Sequence, residues 1–346
     1  MAGDAPAALD VVAVGRWLAA RGLPPGPWRA EKFATGQSNP TFLLRGPGEG
    51  ERLVLRRKPA GRLLPSAHAV EREFRVQGAL RGGPVPVAPA VALCEDADVI
   101  GSPFYVMGYV PGRSLDDPRL PGLDPEARGA MMEDMARVLA LIHGTDLEEA
   151  GLADYGPGAD YARRQVARWT RQYRSSETEP IADMDALIRW LEEAAPPDDG
   201  ARALVHGDYR LDNLLWAPDA PRIAAVVDWE LSTIGHPLAD LAAVLMQWHR
   251  PPGPVGRGLA GVDRAALGLP SDERFVERYC HHAGRATAPD LRFWLAFCAF
   301  RMAAILQGVL RRALDGNASD PARGRALGAH VPAFARQGLE AAGAAR

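Results

Sequence analysis

The sequence predicts an α+β fold of two lobes, a small β-rich N-terminal lobe and a larger, mainly helical C-terminal lobe. Two observations carry this prediction. Before residue 110, apolar residues occur in short runs separated by Gly- and Pro-rich turns, a pattern typical of strands. From residue 124 onward they recur mostly at helical spacing. We therefore expect an N-lobe at residues 1–110 and a C-lobe at residues 111–346.

The N-lobe is predicted to begin with a helix and to continue as strands. Residues 8–22 carry apolar side chains at helical spacing and end at Gly22, with Pro24 beyond. A Gly-rich segment at 46–50 lies between two strand-like runs and predicts a hairpin turn. Ser66 is a suitable N-cap for the helix that follows it. The other expected elements are strands at 41–44, 52–55, 90–94 and 104–110 and a helix at 66–80.

The C-lobe is predicted to be helical apart from three short apolar runs. Helices are expected at 125–143, 160–173 and 184–193, and again from residue 238 to the C-terminus. The apolar runs that interrupt this pattern lie at 203–205, 214–216 and 223–227. Polar residues directly after these runs carry the chemistry of the chain.

Composition and charge exclude several classes of function. The 346-residue chain has a net charge of −3, which gives no electrostatic case for binding nucleic acid. The N-terminus has no basic region followed by an apolar core, as a signal peptide would. The most apolar stretch, 293–310, is interrupted by Arg301 and Gln307, so we expect a buried helix and no membrane partner, because a span needs about 20 apolar residues. Three scattered cysteines suggest no disulfide framework, and we expect a cytoplasmic protein.

The most informative motif combines Asp208, Asn213 and Asp228. Asp208 stands in His206-Gly-Asp208, five residues before Asn213, and Asp228 ends the apolar run 223–227. Phosphoryl transfer from a nucleotide needs a carboxylate that orients the attacking hydroxyl, together with an amide and a second carboxylate that hold magnesium. The order and the Asp-to-Asn spacing are those of the protein-kinase signature H-R-D-x-x-x-x-N followed by D-F-G. The motif therefore predicts a kinase.

With these residues, the chain resembles the aminoglycoside phosphotransferase-like branch of the protein-kinase fold, in particular the phosphotransferase domains found fused to acyl-CoA dehydrogenases. The resemblance covers residues 30–310 and implies a protein-kinase-like bilobal fold that uses ATP and Mg²⁺. The segments that carry it are 33–40, 53–59, 68–74, 101–107, 204–216 and 228–240.

The resemblance implies roles for the polar residues of the C-lobe. Asp208 would be the catalytic base that accepts the proton of an alcohol, and Asn213 and Asp228 would be the magnesium ligands. His206 and Asp240 would brace the catalytic loop. Glu230 would either form an outward hydrogen bond or approach a second metal ion, and both alternatives stay open.

In the N-lobe, the segment Gly36-Gln37-Ser38-Asn39 lies between two strand-like runs. The resemblance implies that its backbone N–H groups contact the nucleotide phosphates. The segment is not a G-x-G-x-x-G loop, however, and a plain hairpin would also explain it.

The strand at 52–55 departs from the kinase pattern. Where the resemblance predicts a lysine, the chain has Arg56, followed by Arg57 and Lys58. Because side chains alternate along a strand, Arg56 and Lys58 share one face. Arg56 fits the strand register better and would contact the phosphates with Glu73 as its partner, while Lys58 stays an alternative. At the segment that resembles the hinge, Met107, Tyr109 and Val110 would contact adenine.

Three functions are compatible with these motifs. The leading hypothesis is an ATP-dependent kinase that phosphorylates a hydroxyl group of a small molecule. A protein kinase would need an activation loop, yet Asp228 and Asp240 are only twelve residues apart and no A-P-E segment follows. A nucleotide-binding pseudokinase or scaffold is supported only by Arg56. Basic residues outnumber acidic ones through 245–310, which disfavours a polycationic aminoglycoside and favours a neutral or anionic alcohol, such as a hydroxyacyl thioester.

Overall fold

The computed structural model describes residues 9–33, 39–48, 50–59, 69–253, 256–318 and 320–344. The chain divides into two compact units. The first consists of Met1–Ser114, Ala150–Leu152 and Asp212–Ser232, and the second of Leu115–Glu149, Ala153–Leu211 and Thr233–Arg346. The first unit thus includes 212–232, which the boundary expected at residue 110 assigns to the C-lobe. This segment belongs there because its backbone bonds to the unit: Val226 N–H donates to the carbonyl of Pro86 at 2.8 Å.

An antiparallel five-stranded sheet forms the centre of the first unit, with the order β1-β2-β3-β5-β4. The helices of the unit are α1 (Val11–Ala19) and α2 (Val70–Leu80). The strands of the sheet are β1 (Arg29–Lys32), β2 (Thr41–Arg45), β3 (Arg52–Arg57), β4 (Ala90–Cys94) and β5 (Phe104–Gly108). A separate antiparallel hairpin is formed by β7 (Leu214–Trp216) and β8 (Ile223–Val226).

Alternation along β3 separates two apolar clusters. Leu55 packs with α1 in a cluster that includes Trp17 and Phe104, whose rings meet edge to face at 4.9 Å. Val54 belongs to a second cluster together with Val70 of α2. Each fully buried side chain of this kind contributes about 1.5–3 kcal/mol relative to an exposed one. Since side chains alternate, Arg56 lies on the same face of β3 as Val54.

The start of α2 differs from the prediction. The helix begins at Val70, with Ala69 at the N-cap position and no side-chain capping bond, so Ser66 is not its N-cap. Ser66 itself lies outside the described residues. Capping propensity is a local signal, and here the acidic residue Glu71 of the first turn complements the helix dipole instead.

The second unit is built mainly from helices. Its helices are α3 (Pro125–His143), α4 (Tyr161–Ser176), α5 (Ala182–Ala194), α6 (Pro237–Trp248), α7 (Arg264–Leu267), α8 (Asp272–His282), α9 (Arg292–Leu314), α10 (Pro321–Gly328) and α11 (Val331–Ala341). Two short antiparallel strands, β6 (Ala203–Val205) and β9 (Thr233–Gly235), pair with Leu204 opposite Ile234.

Helix α9 is the longest helix described in this unit and packs against α4, α5, α6, α10 and α11. It is long and apolar enough to cross a membrane by length and composition, but 61% of its most apolar window is buried inside the protein. The surrounding helices cover it, as expected for a core helix. This confirms the buried helix predicted for 293–310.

Candidate active site

The loop that carries Asp208 follows β6 and is held by Asp240, a buried residue of α6. The Asp240 carboxylate accepts the backbone N–H of His206 at 2.6 Å and that of Gly207 at 2.9 Å. Gly207 has φ 81°, a left-handed conformation that glycine adopts without steric cost. Pairing of β6 with β9 brings the loop to the start of α6 within this unit. Asp240 thus makes the bracing contacts that the resemblance implied.

Asp240 keeps its negative charge despite its burial. Burial by itself would raise the pKa of this carboxyl, but His143, His206 and the bonded backbone N–H lower the pKa below its ordinary value. The His143 Nε2 atom lies 3.5 Å from Oδ2. Two charge-assisted hydrogen bonds from backbone N–H groups are among the stronger hydrogen bonds in proteins. They fix the backbone immediately before Asp208.

Asp208 remains accessible on this braced loop. Its side chain is 34% exposed, and one carboxylate oxygen lies 3.1 Å from Nε of Arg210. The backbone N–H of Asp208 donates to Nδ1 of His206 at 3.3 Å, so this histidine supports the loop as expected. From α9, the Arg301 guanidinium donates to the Gly207 carbonyl at 2.8 Å. An accessible carboxylate on a rigid loop is the arrangement that a general base requires.

In the first unit, the β7–β8 hairpin brings Asn213 and Asp228 to one end of the same pair of strands. Asn213 directly precedes β7, and Asp228 lies two residues after β8. The Asn213 carbonyl accepts the Val227 N–H at 2.9 Å, next to Leu214 paired with Val226. The pairing of β7 with β8 therefore brings Asn213 and Asp228 close together, although they are fifteen positions apart in the sequence.

Asp228 has a strained backbone. Its φ of 67° and ψ of 57° lie in the left-handed region, where a residue with a Cβ is uncommon. Such conformations cost on the order of 1–3 kcal/mol and cluster at functional sites. The strain is a structural indication of function that supports the sequence motif independently.

Asp228 belongs to a carboxylate cluster that we define as Glu73, Asp228 and Glu230. One carboxylate oxygen from each lies within 4.8 Å of the others. Arg56 lies among them: its Nε atom is 3.1 Å from Glu73, and Nη2 is 2.5 Å from Asp228 and 3.7 Å from Glu230. The amide of Asn39 donates to Glu73 at 3.1 Å and to Glu230 at 3.2 Å. The predicted pairing of Arg56 with Glu73 is thus present as an ion pair.

The charges of the carboxylate cluster shift the pKa values of its members. Burial and the neighbouring Asp228 and Glu230 raise the pKa of Glu73 to about 8, against the lowering effect of Arg56. Burial by itself would lower the pKa of Arg56, but Glu73 and Asp228 raise it above its ordinary value. Even with Glu73 neutral, the carboxylates of Asp228 and Glu230 outnumber the Arg56 guanidinium, and this excess of negative charge favours a cation.

The oxygen donors of this region fit Mg²⁺. Mg²⁺ prefers carboxylate and carbonyl oxygens and needs only one or two protein ligands beside water and phosphate. Asp228 is the most exposed member of the carboxylate cluster, with 27% of its side chain accessible, whereas Glu73 is fully buried. Asp228 and Asn213 are therefore the residues that would hold the ion. Glu230 already contacts Asn39 and Arg56, so it faces the cluster and not outward.

Lys58 has a different partner. Its Nζ atom lies 2.9 Å from Glu71, on the first turn of α2. Arg57 lies on the opposite face of β3, where its guanidinium is 5.5 Å from the Phe42 ring. Of the three consecutive basic residues, Arg56 is the one that contacts the carboxylate cluster, in agreement with the strand register assumed from the sequence.

The structure describes only some of the other residues that are predicted to bind nucleotide. Gly36, Gln37 and Ser38 lie outside the described residues, and their phosphate contact stays a prediction. Met107 is buried in β5, between Val54 of β3 and Ala90 of β4.

Tyr109 and Val110 follow β5 directly and pack, half-buried, against the Val54 cluster. The Tyr109 ring also lies 4.4 Å from the Arg52 guanidinium. Contact of these residues with adenine is likewise a prediction.

Sequence reasoning missed two polar partners beneath Glu73. The Tyr105 hydroxyl donates to Glu73 Oε2 at 3.4 Å and accepts from Nε2 of Gln77 at 3.0 Å. All three side chains are buried. The signal that could have found them is the polar character of Gln77 at i+4 from Glu73, on the helix face that packs on the sheet.

Replacement of Arg56 tests its assignment. Arg56→Ala should raise KM for ATP and lower kcat, each by on the order of tenfold, because charge-assisted hydrogen bonds contribute about 1.5–3 kcal/mol. Arg56→Lys should recover part of the loss, since lysine keeps the charge but not the planar fork. Steady-state kinetics with varied ATP measure both effects.

Lys58→Ala is the matched control for this series, because Lys58 is a cation on the same strand face whose ion pair lies outside the carboxylate cluster. It should leave both constants close to wild type. Glu73→Ala should partly reproduce Arg56→Ala, and the double variant should be less than additive. If Lys58→Ala strongly changed KM and kcat while Arg56→Ala changed neither, Lys58 would be the residue that contacts the phosphates.

Comparison with known proteins identifies the family. The model of the phosphotransferase enzyme family matches residues 29–297, most of the chain. The chain belongs to this family. The mouse acyl-CoA dehydrogenase family member 10 is 46% identical over 295 residues, which cover 85% of this chain and 27% of that relative. This chain therefore spans about a quarter of that relative's length, and the predicted resemblance to domains of acyl-CoA dehydrogenase proteins is confirmed.

Solved structures with a similar fold agree with this assignment. A protein of Ralstonia eutropha, provisionally assigned as an aminoglycoside phosphotransferase, is 45% identical with a TM-score of 0.87, covering 98% of this chain and 100% of that one. The complex of spectinomycin phosphotransferase with ADP and spectinomycin is 12% identical, with a TM-score of 0.56 over 88% of this chain and 92% of that one. At this low identity, the similarity to spectinomycin phosphotransferase shows a shared fold only. The predicted α+β, protein-kinase-like bilobal fold is confirmed.

Proposed function

We propose that this phosphotransferase family member is an ATP- and Mg²⁺-dependent kinase that transfers the γ-phosphate of ATP to a hydroxyl group of a small molecule. The observation that carries the proposal is the accessible Asp208 carboxylate on a loop held by the buried, ionised Asp240. Such a loop fixes the position of a base and keeps its carboxylate accessible to the hydroxyl of an acceptor.

In this proposal, Asp208 orients the acceptor hydroxyl and takes its proton as the new oxygen–phosphorus bond forms and the bond to ADP breaks. Asn213 and Asp228 would hold Mg²⁺, and the ion would supply positive charge beside the phosphate oxygens. Arg56 presents a guanidinium whose planar fork suits phosphate oxygens as well as carboxylates. The presence of all three motif residues supports an active enzyme over a pseudokinase or scaffold.

A hydroxyacyl thioester is the acceptor that we propose. Support comes from the relative's name, which describes an acyl-CoA dehydrogenase, a protein that acts on acyl thioesters, and from the excess of basic residues in 245–310. A phosphorylated hydroxyl would be chemically suited to a neighbouring enzyme of acyl thioester metabolism, because phosphate is a far better leaving group than hydroxide. We further propose a cytoplasmic location without nucleic-acid or membrane partners, which the three buried free thiols support.

The nucleotide part of the proposal is tested by Asp228→Ala. Wild-type protein should be stabilised by about 2.7 kcal/mol when MgATP is present at 100 times its Kd. Asp228→Ala should lose most of this gain at the same concentrations, because it removes an anionic ligand of the magnesium ion. Thermal unfolding with and without MgATP measures the difference.

Asp219→Ala is the matched control, since Asp219 is an exposed aspartate in the turn between β7 and β8 of the same hairpin. It should keep the full MgATP stabilisation. If MgATP stabilised the Asp228→Ala protein against thermal unfolding as much as it stabilises wild type, Asp228 would not be a ligand of the proposed metal site.

A further inference from the structure

The peptide group between Gly207 and Asp208 is held at both of its polar atoms. Its carbonyl oxygen accepts a hydrogen bond from the Arg301 guanidinium at 2.8 Å. Its N–H, which belongs to Asp208, donates to Nδ1 of His206 at 3.3 Å. Because a peptide group is planar, bonds at its two opposite edges fix the orientation of the whole plane. The plane ends at the Cα atom of Asp208, so it restricts the direction in which the carboxylate points.

Helices α6 and α9 supply the groups that hold this loop from outside. Asp240 of α6 accepts two backbone N–H groups of the loop, and Arg301 of α9 donates to the Gly207 carbonyl. One turn before Arg301, the buried Cys298 thiol donates to the Ala239 carbonyl of α6 at 3.4 Å. This contact joins the two helices directly beside Asp240. The packing of α6 against α9 therefore sets the spacing between the two groups that hold the loop.

Arg301 is an unusual residue for its position in α9. The residues around it in this helix are mostly buried and apolar, among them Phe297, Phe300 and Ala304. Within the part of the chain that the structure describes, no Asp or Glu forms an ion pair with the half-buried Arg301. Removal of a guanidinium from water is unfavourable, and here no opposite charge in direct contact offsets that cost. An apolar side chain would suit the packing of the helix better, which indicates that Arg301 serves the loop.

We propose that Arg301 is a positioning residue that orients the Asp208 carboxylate toward the acceptor hydroxyl. It acts through the Gly207 carbonyl and not by contact with the reacting atoms. The inference rests on the proposed function and adds a residue on which the same reaction depends. A misplacement of about 1 Å costs on the order of 10²-fold in rate. Loss of the bond to Gly207 should therefore lower kcat far more than it weakens the binding of the nucleotide.

Arg301→Met tests the proposal, because methionine fills much of the same space but cannot donate to the Gly207 carbonyl. With hydroxyacyl-coenzyme A thioesters as acceptors, it should lower kcat by on the order of 10–100-fold. KM for ATP and the thermal shift caused by MgATP should stay close to wild type, since the proposed magnesium ligands belong to the first unit. Arg301→Lys keeps a charged donor and should give an intermediate kcat.

Gln307→Leu is the matched control for a purely structural role. Gln307 is a buried residue of the same helix, and its side chain also donates to a backbone carbonyl, that of Ser176, at 2.9 Å. This variant should lower the midpoint of urea unfolding and leave kcat unchanged. Equal losses of kcat in Arg301→Met and Gln307→Leu would overturn the proposal, as would a wild-type kcat in Arg301→Met. If Arg301→Met did not fold, a wild-type kcat in Arg301→Lys would overturn it.

Amide hydrogen exchange of the native protein reports on the loop without any turnover. The Asp208 N–H should exchange on the order of tenfold faster in Arg301→Met than in wild type, because one hydrogen bond that holds its peptide group is lost. In Gln307→Leu it should exchange as in wild type. A wild-type protein that phosphorylated none of the acceptors would contradict the proposed function, and exchange alone would then decide whether Arg301 holds the loop. Unchanged exchange in Arg301→Met would overturn the proposal.

Discussion

Replacement of Asp208 by Asn is expected to lower kcat by ~10²–10⁴-fold while MgATP binding stays close to wild type. An asparagine keeps the size of the side chain and one hydrogen-bond acceptor, but it cannot take the proton of the attacking hydroxyl. The loop should keep its conformation, because its bonds to Asp240 involve the backbone N–H groups of His206 and Gly207. Rates of ADP formation in the presence of an acceptor and MgATP-induced thermal shifts measure the two effects.

Asp219→Asn provides the comparison, since it makes the same chemical change at an exposed turn residue. It should leave kcat unchanged. If Asp208→Asn retained a kcat near that of wild type, Asp208 would not be the base. If instead MgATP binding collapsed along with turnover, the residue would act on the nucleotide and not on the acceptor.

Replacement of Asp240 by Ala is expected to lower the free energy of unfolding by about 3–5 kcal/mol, because it removes one partner of a buried charged network. Two backbone N–H groups would lose their acceptor, and the His143 ring would lose the carboxylate 3.5 Å away from it. Asp240→Asn should cost less, since its amide oxygen can still accept one N–H. Urea unfolding at neutral pH measures both changes from the shift in midpoint.

The contribution of Asp240 to the free energy of unfolding should fall as the pH is lowered. Because the folded-state pKa of Asp240 lies below its ordinary value, its contribution is present above about pH 4, the unfolded value, and is lost as the pH falls through the folded value. The stability difference between wild type and Asp240→Asn should therefore shrink in acid. Asp290→Ala, at an exposed ion pair with Arg292, should cost less than about 1 kcal/mol at any pH. A similar small cost for Asp240→Ala would contradict the bracing role.

The fold was predictable where local patterns agree with tertiary structure. The helix at 125–143 and the apolar runs at 203–205 and 214–216 have the bounds that periodicity indicated. Strand β1 was missed because its four side chains are all exposed, so it has no apolar alternation. It exists through backbone pairing with β2, such as Ala30 opposite Leu44, which depends on residues distant in the sequence.

The candidate site also combines residues that local sequence patterns predict with residues that they do not predict. The spacing of Asp208 and Asn213 and the position of Asp228 after an apolar run are local, and they pointed to phosphoryl transfer directly. The convergence of Arg56 on three carboxylates is not local, since Glu73 and Asp228 come from a helix and a hairpin far along the chain. In the sequence Arg301 only interrupts an apolar stretch, and local patterns do not indicate that it donates to the Gly207 carbonyl of the loop that carries Asp208.

Phosphorus NMR of the wild-type protein with MgATP and a series of hydroxyacyl-coenzyme A thioesters, which differ in the position of the hydroxyl group, tests the central claim most directly. The spectrum follows the γ-phosphate itself and distinguishes transfer to an alcohol from hydrolysis. The γ-phosphate signal of ATP should disappear as a phosphomonoester signal of the acceptor grows, and Asp208→Asn should abolish both changes. Inorganic phosphate as the product with every acceptor, or unchanged ATP in a protein that binds MgATP, would contradict it.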